Sequence, residues 1–379
     1  MKVVKYETGG ESDTEEPVSH SASATPAETL QQIYFGAPGV GKSHNLKSVY
    51  GSEDDVIRIT FHPETDYAAF VGCYKPQTET RDDGTAEIMY KFQGQAFAEA
   101  YIEAWRRFVT DVPRKDQFLV IEGINRGNCA QIFGDIFQLL DRNENGFSDY
   151  SIRPDKDLSQ YLCDEFSRLS ITGELNNIKE GLGDGKWMML PPNLHILATM
   201  NTSDQSLFPI DSAFRRRWEW VYMPVETEPS HKGEPVKRFI ETNEYSYDWG
   251  KFLAEVNKRI FSTTLSEDKQ LGFWFIKPKG GKSEITANEF VSKVIFYLWN
   301  DVYKDFGEDA TSIFNFAVDG NPDSKEKIRH TFRDFTPAFR QVNHDMVDSF
   351  LLNLGVTPEK SILQAKTGTA SEPSESATE

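Results

Sequence analysis

Gly36-Ala37-Pro38-Gly39-Val40-Gly41-Lys42-Ser43 is the stretch of this chain whose residue types and spacing most directly imply chemistry. It is a full GxxxxGK[ST] pattern, lying between an apolar run and a helical pattern, the context in which that pattern cradles phosphate. Glycines let successive backbone N–H groups curl around phosphate oxygens. A helix opening at Lys42 adds its positive end, and His44 follows in the same turn. Lys42 is placed to reach the β- and γ-phosphates, and the Ser43 hydroxyl to ligate Mg²⁺. Such a loop needs a second metal-binding carboxylate at the end of a buried neighbouring strand. Phe118-Leu119-Val120-Ile121 ends in Glu122, which fits that role through water. Many P-loop motors carry a further carboxylate one residue on, where it orients the attacking water. This chain has Gly123 there. Losing that group typically costs ~10²–10⁴ in rate. Phosphate binding is therefore expected to be intact and hydrolysis impaired.

Two more segments carry candidate polar chemistry. In Met200-Asn201-Thr202-Ser203-Asp204-Gln205-Ser206, the Asn201 amide could bond the γ-phosphate or the lytic water, with Asp204 in reach. The same residues equally suit a capped turn entering a helix. In Arg215-Arg216-Arg217, three consecutive cations cannot all face one way. One of them, Arg215 or Arg216, could serve a neighbouring subunit as an arginine finger, a role worth ~10³–10⁵ in rate. A charge cluster ending a helix, or a phosphate-binding patch, is the other reading. His62 has no Ser, Cys or metal-spaced partner and reads as structural. The aromatic run Gly272-Phe273-Trp274-Phe275-Ile276 reads as core rather than as a base-stacking platform.

The elements that must position these groups alternate short apolar strands with helical patterns, the mark of an α/β sheet. Strands are expected at Gln31–Phe35, Val56–Phe61, Phe118–Ile121, Leu194–Met200 and Trp218–Met223, giving a five-stranded parallel P-loop core. Helices are expected at Phe97–Val109 and Ile132–Leu140. From about Glu226 helical patterns dominate (Trp249–Phe261, Asn288–Tyr303, Phe335–Leu354), which suits a smaller C-terminal helical lid over residues 226–363. The sheet domain spans 29–225. An interruption at about 143–190 reads as a hairpin of Tyr150–Arg153 and Lys186–Leu190 around a helical stretch, Leu158–Ile178. Residues 1–28 and 364–379, rich in Ser, Thr, Glu and Pro, read as disordered ends.

Composition excludes several classes. A net charge of −18 opposes broad attraction to DNA or anionic lipid, so any DNA contact must be local or made through the assembled complex. Three scattered cysteines (Cys73, Cys129, Cys163) make neither a metal site nor a disulfide framework, which favours a reducing cytoplasm. No apolar run approaches the roughly 18–20 residues of a membrane span.

Taken in order, GAPGVGKS, TFHPETDYAAFVG, FLVI with INRGN after it, LPPNLHILATMNTSDQS and IDSAFRRRW resemble the McrB family of AAA+ proteins over about Leu30–Pro224. QLGFWF and KVIFYLWNDVY are similar to that family's lid. The resemblance implies self-association into a ring, a hexamer, with GTP preferred to ATP. It also implies DNA translocation with an McrC-like endonuclease partner. It puts the family's Walker B carboxylate at Glu122, its sensor asparagine at Asn201 and its finger region at Arg215 and Arg216, with Asn125 and Arg126 in the segment after Walker B. Two departures are Gly123, where the family has an acidic residue, and the leader of residues 1–28, where the family usually carries a modified-DNA reader. If the chain is complete, target recognition is expected from another subunit. No NKxD-type guanine motif is present, which leaves ATP open. A non-hydrolysing nucleotide-gated scaffold and a MoxR-like ATP-driven chaperone are the competing readings.

Overall fold

Apolar runs without alternation become the inner strands of a sheet covered on both faces. A computed structural model describes residues 30–50, 52–80, 86–203, 208–231, 234–304, 312–318, 324 and 326–361. Its main sheet comprises β1 (Gln31–Gly36), β2 (Val56–Thr60), β5 (Gln117–Glu122), β6 (Leu194–Asn201) and β7 (Glu219–Tyr222). The order is β2-β5-β6-β1-β7, and every pairing is parallel. All five expected strands are present, and the α/β P-loop architecture follows from them. Along β5, Leu119 and Ile121 face one apolar cluster while Phe118 and Val120 face the other, as the two-residue period of a strand requires.

The larger cluster holds α3 (Ala96–Thr110), following α1 (Lys42–Tyr50) and α2 (Tyr67–Phe70) in the chain. Phe97, Ala100, Tyr101, Ala104 and Trp105 recur every three or four residues and are fully buried. Burying a side chain of phenylalanine size contributes about 1.5–3 kcal/mol. On the opposite face, α1 brings Leu46 and Tyr50 against Tyr34, Phe118, Val120 and Leu197. This packing fixes where the phosphate-loop helix starts.

Three expectations need correction. The helix expected at Ile132–Leu140 is broken: α4 (Cys129–Phe133) stops at Gly134, whose φ of 48° and ψ of −132° no helix accommodates, and a 3₁₀ stretch runs on to Leu140. Phe335–Leu354 is likewise interrupted, with helix only at Phe332–Phe335 and His344–Asn353. The C-terminal part is not purely helical. Besides Trp249–Thr264 and a helical run from Ala287 to Val302 wound with π turns, it contains a small sheet. Its strands are Glu284–Thr286, Phe239–Glu241, Tyr245–Asp248 and Lys360–Ser361. Strands of two to four residues are too short to show a period of two.

Between the sheet elements lie two insertions. The antiparallel ribbon β3 (Gly72–Thr80) and β4 (Ala86–Gly94), which the pattern reading missed, leaves Ile88 and Tyr90 about 70% exposed. In the interruption at 143–190, Ile152 bridges Met188, and α5 (Lys156–Arg168) and α6 (Thr172–Ile178) lie between. Leu158, Leu162, Phe166 and Leu175 join the main core, so this insert packs inward. Arg142 anchors its base, donating to Gln31 Oε1 and to the carbonyls of Gly146, Pro191 and Leu194. Burial among these neutral acceptors pushes its pKa down to about 9.

The C-terminal part meets the phosphate loop backbone to backbone. Gly272 N–H donates to Pro38 O at 2.9 Å and Trp274 N–H to Gly39 O at 2.8 Å. A Cβ on Gly272 would lie 2.2 Å from Gly39 C, so only glycine fits there. Replacing Gly272 by alanine should drive the two backbones apart and destabilise the chain by about 1–3 kcal/mol. A thermal melt should show a lower transition temperature for Gly272→Ala than for wild type.

Candidate functional site

Sheet register sets the site. Gly36 pairs with Asn201 and Thr60 with Glu122, so the last residues of β1, β5 and β6 share one edge. In open parallel sheets this carboxyl edge is where ligands bind. Gly36, Gly39 and Gly41 have φ of 145°, 82° and 90°, and the loop they form turns into α1 at Lys42. Two of these glycines also face backbone: a Cβ at Gly36 would lie 2.5 Å from Met223 O, and one at Gly39 2.4 Å from Phe275 N. Lys42 is buried, and its Nζ donates to Gly36 O at 2.8 Å and Ala37 O at 3.0 Å.

Glu122 is the centre of a converging set of donors. Ser43 Oγ donates to its Oε2 at 2.9 Å, Thr199 Oγ1 to the same oxygen at 2.6 Å, and Arg58 Nη1 to Oε1 at 2.6 Å. Ser43 and Glu122 thus meet across 79 residues of sequence, as their expected pairing requires. Both are hard oxygen donors, suited to a Mg²⁺-like ion that keeps several waters and shares substrate phosphates. Among the described residues no cluster of three His, Cys, Asp or Glu side chains forms a self-sufficient metal site.

Gly123 adopts φ 67° and ψ 51°, the left-handed region, and its N–H donates to Thr199 Oγ1. The turn that follows, Ile124–Arg126, is closed by Arg126 N–H to Gly123 O. Asn125 is buried, and its Nδ2 donates to the Asn201 carbonyl at 2.6 Å. Asn201 itself is half-buried at the end of β6, beside Gly36. Asp204 lies outside the described residues, as do the segments 1–28 and 364–379.

The three arginines separate as their crowding demands. Arg217 bonds Asp141 at 2.6 Å and lies over the Phe137 ring, a structural placement. Arg215 ends α7 (Ser212–Arg215) with its guanidinium over Trp220. Arg216 is exposed and lines a hollow with Leu30 and Gln31, near the opposite end of β1 from the phosphate loop. Neither Arg215 nor Arg216 joins the loop of its own chain.

Two cavities flank the phosphate loop. The first, about 730 Å³, is lined by Val40, Gly41, His44, Asn45, Met223, Glu226, Arg238 and Trp274. His44 stacks on Trp274 with an interplanar angle of 16°. Trp274, expected in the core, is 41% exposed and walls this cavity, whereas Phe273 beside it is buried. Arg238 is held under Trp274 by the carbonyls of Phe273 and Ile276, and burial lowers its pKa from the ordinary value. The second cavity, about 750 Å³, joins Pro38 to His62, Arg126, Ser203, Lys269, Asp301 and Lys304. His62 Nδ1 accepts from Glu64 N–H, and His62 N–H donates to Thr65 Oγ1, in keeping with a structural turn. Arg58, Thr199, Arg126, Arg238 and Trp274 were not identified as site residues by pattern. A lone arginine inside VIRIT and a threonine inside LHILATMN are the signals that could have found the first two.

Comparison with known proteins agrees with this architecture. The AAA domain family of the dynein-related subfamily matches residues 33–218. The type II restriction enzyme BsuMI component YdiS of Bacillus subtilis (strain 168) is 35% identical over 298 residues, covering 72% of this chain and 79% of that protein. The type IV methyl-directed restriction enzyme EcoKMcrB subunit of Escherichia coli (strain K12) is 26% identical over 216 residues, covering 55% of this chain and 37% of that protein. A phosphate loop, a strand-end carboxylate and an asparagine on one parallel edge, matched by restriction-system relatives over most of the chain, place this protein in the McrB-type AAA+ family.

Proposed function

We propose that this chain is the nucleoside-triphosphate-binding motor subunit of a restriction complex, working in a ring, with GTP and Mg²⁺ at the loop of residues 36–43. The carrying observation is the Ser43–Glu122 contact at 2.9 Å beside the buried Lys42. It joins the phosphate-loop helix to the carboxylate that such sites use. Membership in the McrB-type family supports the ring, the McrC-like nuclease partner and the DNA substrate, the last reached through the assembled complex. No helix among the described residues is long and apolar enough to cross a membrane.

Each residue then has a physical task. Backbone N–H groups of the loop surround the phosphates, and Lys42 exchanges the Gly36 and Ala37 carbonyls for phosphate oxygens. Mg²⁺, when bound with the nucleotide, would neutralise phosphate charge next to Ser43 and Glu122. Thr199 and Arg58 hold the Glu122 carboxylate in place. Asn201, at the end of the neighbouring strand, offers an amide to the terminal phosphate or to water. The cavity of about 730 Å³ is of ligand size, and the stacked His44–Trp274 pair gives a flat wall for a base. Glu226 as acceptor and Arg238 as donor suit the two hydrogen-bonding edges of guanine. Arg215 and Arg216, turned away from their own loop, are free to serve the next subunit in a ring.

A second reading follows from Gly123. A site that binds nucleotide but lacks a water-orienting carboxylate suits a nucleotide-gated assembly module with little turnover.

Three outcomes are expected. Lys42→Ala should weaken triphosphate binding by at least about tenfold, measured by calorimetry. In competition, GTP should displace a bound fluorescent nucleotide at lower concentration than ATP; the reverse order would remove the guanine assignment. Any side chain at Gly123 should cost about 1–3 kcal/mol through its left-handed backbone, so Gly123→Ala is the proper control for Gly123→Glu. Phosphate release by Gly123→Glu should exceed that of Gly123→Ala by about 10²-fold. Equal rates would show that another group positions the water.

A further inference from the structure

The geometry points to Arg126 as a cation that grips the terminal phosphate from within its own subunit, in the space that Gly123 leaves open. This rests on the nucleotide reading above and assigns one further residue to it. A Cβ built on Gly123 would meet Arg126 Cδ at 3.0 Å and Cγ and Nε at 3.4 Å. The arginine stem therefore lies where a side chain at 123 would begin, one residue beyond Glu122. The turn that carries it is fixed at both ends. Arg126 N–H bonds Gly123 O, and the buried Asn125 bonds the Asn201 carbonyl at the end of the adjacent strand. Arg126 is thereby tied to both strand ends that bracket the site.

Arg126 lines the cavity of about 750 Å³ that also reaches Pro38 of the phosphate loop and Ser203 beyond β6. Lys269 and Lys304 line the same space, and Asp301 is the one carboxylate among its lining residues. The balance is cationic and suits a polyanion. No hydrogen bond or ion pair engages the Arg126 guanidinium among the described residues. Pro38 of the phosphate loop and Arg126 line this one cavity, so a phosphate chain lengthened from two to three is expected to reach toward Arg126, which should then separate the two nucleotides. Where a carboxylate at 123 would polarise water, this chain presents a positive charge: it favours holding the triphosphate over cleaving it.

The test compares affinities of the full chain for a non-hydrolysable GTP analogue and for GDP, both with Mg²⁺, by calorimetry. Arg126→Ala should weaken analogue binding about tenfold or more and change GDP binding by less than about twofold. Arg126→Lys should fall between. Equal weakening of both nucleotides, or an unchanged analogue affinity, overturns the assignment. Binding that depends on Lys42 but ignores Arg126 overturns it alone, while a wild-type chain that binds neither nucleotide overturns the functional reading as well.

Discussion

Parallel pairing of β1 with β6 and of β2 with β5 is the constraint on which the rest depends. Because Gly36 lies beside Asn201 and Thr60 beside Glu122, loops leaving these strands must emerge together. The strands can pair this way only because both faces of the sheet are buried, by Trp105, Tyr101 and Phe133 on one side and by Leu46 and Tyr50 on the other. Core packing therefore sets the distance between Ser43 and Glu122. A slip of one residue would turn Leu119 and Ile121 toward the wrong cluster and carry Glu122 away from the loop.

The phosphate loop has a second support. Gly272 and Trp274 donate from outside to the carbonyls of Pro38 and Gly39. With those carbonyls turned outward, the N–H groups of the next residues, Gly39 and Val40, face the opposite side, where an anion would sit. The C-terminal part is thus joined to the loop itself, and Trp274 continues from that joint into the wall of the cavity of about 730 Å³. Such a connection ties the position of the C-terminal part to the geometry of the loop.

What the sequence revealed depended on range. The loop of residues 36–43 was legible because its information is local, eight residues with their own backbone demands. Strands β5 and β6 were legible as unbroken apolar runs. Arg58 and Thr199 around Glu122 were not, since their roles arise only when the sheet brings residues 64 and 77 positions apart together. The ribbon β3–β4 escaped notice because Ile88, Met89 and Tyr90 follow one another without alternation on a largely exposed surface. Trp274 was misplaced because a run of aromatics does not show which ring is covered. The two helices that proved broken share one cause: apolar spacing persisted through Gly134 and through residues 336–343, where the backbone does not stay helical.

The central claim is that the edge formed by residues 36–43 and Glu122 holds a triphosphate tail. A crystal structure of the chain with a non-hydrolysable GTP analogue and Mg²⁺ addresses it directly. The phosphates should lie along the loop, with Lys42 Nζ turned from the Gly36 and Ala37 carbonyls onto them and the Ser43 hydroxyl released from Glu122 toward the ion. Phosphates bound elsewhere, or Lys42 still held by those two carbonyls with nucleotide present, would contradict the account.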